Sequence, residues 1–186
     1  MKRLFDFLLS AILIIILAIP MVLVAIVVRL TSKGPILFWS NRIGKGNVTF
    51  KMPKFRSMRV DTPAVATHLM TDPEQFLSPI GKLLRKYSID EFPQLFSILK
   101  GDMSFVGPRP ALFNQDDLIA LRTEKELDQL IPGLTGWAQV NGRDELSISD
   151  KVKMDEYYLK NQSLYLDMKI LFLTILKVFK TEGVSH

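Results

Sequence analysis

The chain contains no cysteine. That removes a disulfide framework, a cysteine nucleophile and any thiolate metal site. Histidine is nearly as scarce. The only two, His68 and His186, are too few for a zinc site of the usual kind, and nothing around His68 marks a catalytic triad. Acid is almost missing from the first third. Residues 1–60 hold ten Lys/Arg against Asp6 alone, a charge of +9, whereas the remaining 126 residues carry −4. There is no internal repeat and no low-complexity linker. A length of 186 residues accommodates one compact domain plus a membrane element, but not two ordinary domains.

A basic N-terminal third suits either nucleic acid or an anionic membrane surface. The hydrophobic run inside it decides for membrane lipid, and no nucleic-acid partner is expected. Phe7 to Val28 is 22 residues without a charge, interrupted only by Ser10 and Pro20. As a helix it spans about 33 Å, enough to cross the hydrocarbon core. It is too long for the apolar core of a signal peptide, and no small-x-small cleavage site follows. Pro20, in mid-run, removes a backbone bond and kinks a helix. Both flanks are basic, Lys2 and Arg3 before and Arg29 and Lys33 after, and positive residues prefer the cytoplasmic side. Two topologies are therefore open: a straight single span, or a re-entrant hairpin bent at Pro20 with both ends cytoplasmic.

Beyond the run, Ile36–Trp39 and Val48–Phe50 flank the turn residues Gly44 to Asn47, which predicts a small β-hairpin. Residues 60–79 read as a surface loop or weak helix broken by Pro63, Pro73 and Pro79, and 80–87 as a short helix. A helix is expected from Asp90 to Lys100, stopped by Gly101, with Phe92, Leu95, Phe96 and Leu99 at helical spacing. Residues 114–131 suggest an amphipathic helix, 131–143 a Gly-rich loop and 149–161 a helix. The last helix, Leu164–Lys180, gathers Met168, Leu171, Phe172, Ile175, Leu176 and Phe179 on one face, which suits either core or membrane surface.

The segment Ser88 to Pro93 concentrates candidate chemistry. Proline is tolerated only in the first turn of a helix, so Pro93 sets the helix start near Asp90. Asp90 and Glu91 then lie at a helix N-terminus, where the macrodipole keeps a carboxylate ionised as a nucleophile or metal ligand. Neighbours on a helix do not face each other, so the two should serve different partners. Simple capping chemistry would account for the same acids. Pro108 and Pro110 hold Arg109 in an extended segment suited to bidentate phosphate contact, although a rigid turn with a solvated Arg reads the same way. In Lys54–Arg59 a strand would place Lys54 and Arg56 on one face, or form a solvated basic edge. Gly133, Gly136 and Gly142, with Gln139, Asn141 and Arg143, make a polar loop near which a sugar or nucleotide could bind.

Taken in order, Lys54–Met58, RKYSIDEFPQL (Arg85–Leu95), GDMSFVGPRP (Gly101–Pro110) and PGLTGWAQVNGR (Pro132–Arg143) resemble the bacterial sugar transferase family, in its small monotopic phosphoglycosyl transferase form. The resemblance covers nearly the whole chain. It implies a mainly α fold with a small β-hairpin (α+β), divided into a re-entrant membrane hairpin over 1–32, kinked at Pro20, and a cytosolic catalytic domain over 33–186 with membrane-surface helices. It further implies a catalytic pair at Asp90 and Glu91 with Mg²⁺, working at the cytoplasmic face of a bacterial inner membrane. Three positions depart from the family pattern: Ile19 where Ser often precedes the membrane proline, Pro53 where a bulky residue is common, and Gln162 where Trp is frequent.

The expected reaction moves a phosphosugar from a UDP-sugar to undecaprenyl or another polyprenyl phosphate, an initiating step that downstream glycosyltransferases could follow. Asp90 attacks the sugar-bearing phosphorus, UMP leaves, and the lipid phosphate resolves the aspartyl-phosphosugar. Glu91 binds metal or manages a proton, and Lys54, Arg56, Arg85, Arg109 and Arg143 clamp phosphates, with Pro108, Pro110 and Gln139 completing the candidate substrate site. Two competing readings are a membrane-anchored adaptor without catalysis, and a lipid-phosphate hydrolase that would release phosphate instead of UMP.

Overall fold

The computed structural model describes residues 1–62, 74–142 and 145–180. Its first element, α1 (Lys2–Thr31), is a single helix. An inward stripe recurs at helical spacing along its length: Asp6 and Ser10 are buried, Leu9, Leu13, Ile14 and Leu17 pack on the main core, and Met21, Val24, Ala25 and Val28 join a second cluster with Phe55 and Leu84. The opposite face leaves Leu8, Ile12, Ile15, Ile16, Ile19, Leu23, Ile26 and Leu30 exposed. The expected helix-break-helix is thus one uninterrupted helix. Pro20 lies within it on the exposed side. Packing of the inward stripe on both sides of the proline holds helical backbone through the position where one hydrogen bond is missing.

Both ends of α1 are tied to the rest of the protein. At the start, Lys2 Nζ lies 2.6 Å from Asp167 Oδ2, and Arg3 donates to the carbonyls of Ile98 and Leu99 at 2.5 and 2.7 Å. Asp6 Oδ1 accepts from the Phe105 amide at 3.2 Å. At the far end, Val28 is buried and Arg29 donates to the Gly34 carbonyl at 3.2 Å.

The hairpin is formed by β1 (Leu37–Ile43) and β2 (Thr49–Phe55), antiparallel, with Phe38 opposite Lys54, Ser40 opposite Met52 and Arg42 opposite Phe50. Side chains alternate across a strand, so these six share one face. A second small sheet pairs β3 (Ser104–Val106) in parallel with β4 (Gly133–Thr135). The Gly-rich loop expected over 131–143 is, in its described part, this strand followed by a short helix, α5 (Trp137–Val140). Glycine is what allows it: a Cβ on Gly133 would collide with the backbone of Gly107.

Between these elements run α2 (Gly81–Lys86), α3 (Gln94–Lys100) and α4 (Asp116–Glu124). Gly101 stops α3 as anticipated, in the left-handed region at φ 106°. The long helix expected over 114–131 is α4 plus a 3₁₀ turn at Leu127–Gln129, because Glu126 takes a left-handed conformation between them. The chain closes with α6 (Ile148–Lys160) and α7 (Leu164–Lys180). The core side of α7 is Leu166, Asp167 and Ile170. Met168, Phe172, Ile175 and Leu176, from the face that the sequence left open between core and membrane, are exposed. Mainly helical with two small sheets, the architecture is α+β.

Candidate active site

Asp90 and Glu91 sit in a 3₁₀ turn, Ile89–Glu91, between α2 and α3. Ser88 enters it in the left-handed region at φ 55°, a costly conformation for a residue with a Cβ. The α-helix itself begins at Gln94 with Pro93 as its cap, so the carboxylates precede the first α-helical turn instead of occupying it. The helix macrodipole is therefore not what sets their ionisation. Burial pushes the Asp90 carboxyl above the usual range. Lys54 draws it back, Glu91 raises it further, and Arg85 and Arg109 lower it.

Nor do the two acids serve separate partners. Lys54 Nζ lies 2.7 Å from Glu91 Oε1 and 3.8 Å from Asp90 Oδ2, and Arg109 reaches the same Glu91 oxygen at 3.4 Å. The tighter 3₁₀ winding and the approach of β2 put a single cation between adjacent carboxylates. Glu91 is the better paired. Among the described residues, Asp90 has no side-chain hydrogen bond, only Lys54 at 3.8 Å.

Arg109 is presented by the segment between β3 and α4, and that segment is braced from behind. Arg122 NH1 donates to the Arg109 carbonyl at 2.8 Å, while its Nε and NH2 donate to Asp155 Oδ2 at 3.0 and 2.7 Å. Pro108 and Pro110 flank Arg109 in this segment. They line a recess with Ile43, Ile119, Arg122 and Leu130.

The fold thus brings Lys54, Arg85, Asp90, Glu91 and Arg109 together. Arg56, expected on the same face as Lys54, directly follows the end of β2 at Phe55, and its NH1 donates to the Lys33 carbonyl at 3.3 Å. Gln139 lies in α5, its amide buried without a hydrogen-bond partner among the described residues, and Gly136 beside it rests on the backbone of Gly107. Arg143 lies outside the described residues, as does His68. Among the described residues, no three acidic or histidine side chains cluster as a metal site.

Two residues beside this cluster were not anticipated. Arg42 sits on the hairpin face it shares with Lys54, and the alternation Phe38, Ser40, Arg42 opposite Phe50, Met52, Lys54 was the signal that could have found it. Arg122 had no local signal, since its partner Asp155 is 33 residues away.

Comparison with known proteins places this geometry in context. The family model described as bacterial sugar transferase matches residues 1–181. The uncharacterised sugar transferase EpsL of Bacillus subtilis (strain 168) is 42% identical over 188 residues, covering 100% of this chain and 91% of EpsL. The UDP-N-acetylgalactosamine-undecaprenyl-phosphate N-acetylgalactosaminephosphotransferase of Aeromonas hydrophila is 39% identical, over 94% of this chain and 42% of that protein. The undecaprenyl-phosphate glucose phosphotransferase of Komagataeibacter xylinus is 41% identical, over 94% of this chain and 35% of that protein. The chain therefore spans well under half of these last two relatives.

Proposed function

Since the chain belongs to the bacterial sugar transferase family, we propose that it transfers a phosphosugar from a UDP-sugar to undecaprenyl phosphate or another polyprenyl phosphate. The observation that carries this reading is a buried Asp90, not hydrogen-bonded by any described side chain, beside a Glu91 that is held by Lys54 and Arg109. In the first step an Asp90 oxygen forms a bond to the sugar-bearing phosphorus, and the bond from that phosphorus to the UMP oxygen breaks, with UMP keeping the electron pair. In the second, an oxygen of the lipid phosphate bonds to the same phosphorus and the Asp90 carboxylate is restored. Lys54, Arg85 and Arg109 stabilise the charge on the phosphoryl oxygens, while Glu91 orients Lys54 and Arg109.

The donor set fits Mg²⁺. Two adjacent carboxylates, one of them with no side-chain hydrogen bond among the described residues, are the hard oxygen ligands that this ion combines with pyrophosphate oxygens. Asp90 and Glu91 would hold it, and when bound it supplies neutralisation of the diphosphate charge.

The outward apolar faces of α1 and α7 support placement at a lipid surface, with the active site on the cytoplasmic side of a bacterial inner membrane. Both ends of α1 are tied to one body, by Lys2, Arg3 and Asp6 at one end and by Val28, buried with Phe55 and Leu84, at the other, which favours a single side of the membrane for both. Pro20 on the lipid-facing side would bend the helix toward that body. The absence of cysteine makes this directly measurable. Single cysteines in an extension ahead of Met1 and at Lys33→Cys should both resist an impermeant external reagent in intact cells and both react after permeabilisation. Labelling of the N-terminal position alone in intact cells would establish a straight span.

The reaction is tested with the full chain in a bilayer mimetic, undecaprenyl phosphate and a panel of UDP-sugars that includes glucose, galactose and N-acetylated amino sugars. UMP should appear with at least one donor, vanish with EDTA and return with Mg²⁺. Release of inorganic phosphate instead would identify a lipid-phosphate hydrolase. Silence across an extended panel, from folded protein, would leave a membrane-anchored adaptor.

A further inference from the structure

Arg42 has a chemical environment that the described residues around it do not complete. It occupies β1 on the face that also carries Lys54, so the strand register aims it toward the side of the hairpin where Glu91 sits. Its Nε donates to Ser40 Oγ at 3.0 Å and its NH1 to the Pro110 carbonyl at 3.1 Å. A guanidinium has five N–H donors. Two are spent on these neutral oxygens, and no carboxylate forms an ion pair with it among the described residues.

The contact with Pro110 places Arg42 one residue from Arg109, whose guanidinium approaches Glu91. The chain on both sides is locked. The Ile43 amide donates to the Ala111 carbonyl at 2.9 Å, and Arg42 bridges to Leu112. Two guanidinium groups are therefore brought near each other on rigid backbone. Burial and the neighbouring Arg109 together push Arg42 down to about 10, with Glu91 opposing from a distance. Cations taken partly out of water next to a like charge call for an anion. The planar fork of unspent donors matches two oxygens of a phosphoryl group.

We propose that Arg42 acts with Arg109 as a two-guanidinium clamp on a substrate phosphoryl group, with the Ser40 hydroxyl and the Pro110 carbonyl fixing the plane of its fork. This rests on the phosphosugar-transfer reading, because it supplies that same site with a further anion-binding residue. The ligand chemistry is a phosphate mono- or diester, which could belong to the nucleotide donor or to the lipid acceptor.

Binding measurements separate the two sources without depending on turnover. Full-length protein in detergent is titrated calorimetrically with UDP, with inorganic pyrophosphate and with dodecyl phosphate, for wild type, Arg42→Gln and Arg42→Lys. Loss of a charge-assisted bidentate contact should weaken the affected probe about 10- to 100-fold in Arg42→Gln. Arg42→Lys, which keeps the charge but loses the fork, should fall between. Weaker UDP and pyrophosphate binding assigns the clamp to the donor, and weaker dodecyl phosphate binding alone assigns it to the acceptor. All three affinities unchanged in both variants would overturn the proposal, and so would losses confined to variants whose thermal unfolding midpoint also collapses. If Arg42→Gln weakens UDP binding yet wild type releases no UMP from any donor, the transferase reading fails while Arg42 remains an anion-binding residue.

Discussion

Asp90→Asn is expected to lower UMP release by at least about 1,000-fold while leaving the folded protein at least as stable as wild type at neutral pH. The activity loss follows from chemistry. An amide oxygen does not form the acyl phosphate, and the neighbouring Glu91 is occupied by Lys54 at 2.7 Å and Arg109 at 3.4 Å. The stability expectation follows from burial. Desolvation raises the Asp90 carboxyl above its unfolded value, so the residue's favourable contribution is fully present below the unfolded pKa and is lost as pH rises through the folded one. Removing the charge therefore costs nothing at pH 7, and Lys54 keeps Glu91 as its partner. A residue retained against its own stability cost is what a reacting group looks like. The check has two parts. With donor labelled in the β-phosphate and no acceptor, wild type should retain label covalently and the variant should not. Denaturant midpoints should not fall. A folded Asp90→Asn protein working within tenfold of wild type would remove the nucleophile assignment.

The second large effect lies behind the site. Arg122→Met leaves Asp155 stranded, with its side chain only 2% exposed. Breaking one half of a buried pair costs about 3–5 kcal/mol, mostly because the remaining charge has lost its partner. Asp155 is already raised by burial, with Arg122 as the chief opposing influence, so its removal raises the carboxyl further. A carboxyl raised above its unfolded pKa contributes stability that is intact at acid pH and disappears as pH climbs. The variant should therefore trail wild type most at pH 7 and above, and the gap should narrow toward about pH 4. Chemical denaturation across that range reads both. The double change Arg122→Met with Asp155→Leu should recover much of the loss, since an apolar pair of similar volume is often no worse than the ion pair. Activity in the double variant should remain impaired, because the Arg109 carbonyl still lacks its donor. Full activity there would show that the brace does not position Arg109.

How much of this could be read without coordinates depended on whether the cause was local. The Gly44 to Asn47 turn between apolar stretches specifies the hairpin, since turn and alternation lie within about twenty residues. Gly101 ends α3 where expected, because a left-handed cap is a property of one residue. Period and length likewise placed α7 and the long apolar helix. The acidic pair was visible for the same reason: Pro93 dates the helix start to within a few residues, although the 3₁₀ turn that carries Asp90 and Glu91 was not.

What could not be read there were relations between distant segments. Arg56 looks equivalent to Lys54 by alternation, but the strand ends between them, and the contact of Arg56 with the Lys33 carbonyl joins segments 23 residues apart. The parallel pairing of β3 with β4 needs Gly107 against Gly133, a backbone contact with no side-chain pattern to announce it. The ionisation of Asp90 reverses the expected cause for the same reason: a macrodipole belongs to a helix, whereas burial and Lys54 belong to the assembled fold. Composition, one apolar run and four ordered stretches were enough to identify a helix long and apolar enough to cross a membrane, and the family by resemblance. Which cations surround the acids, which of them are braced, and which face of each helix is left exposed were decided only when the long-range contacts closed, because charge pairing and desolvation act through space and leave no period along the chain.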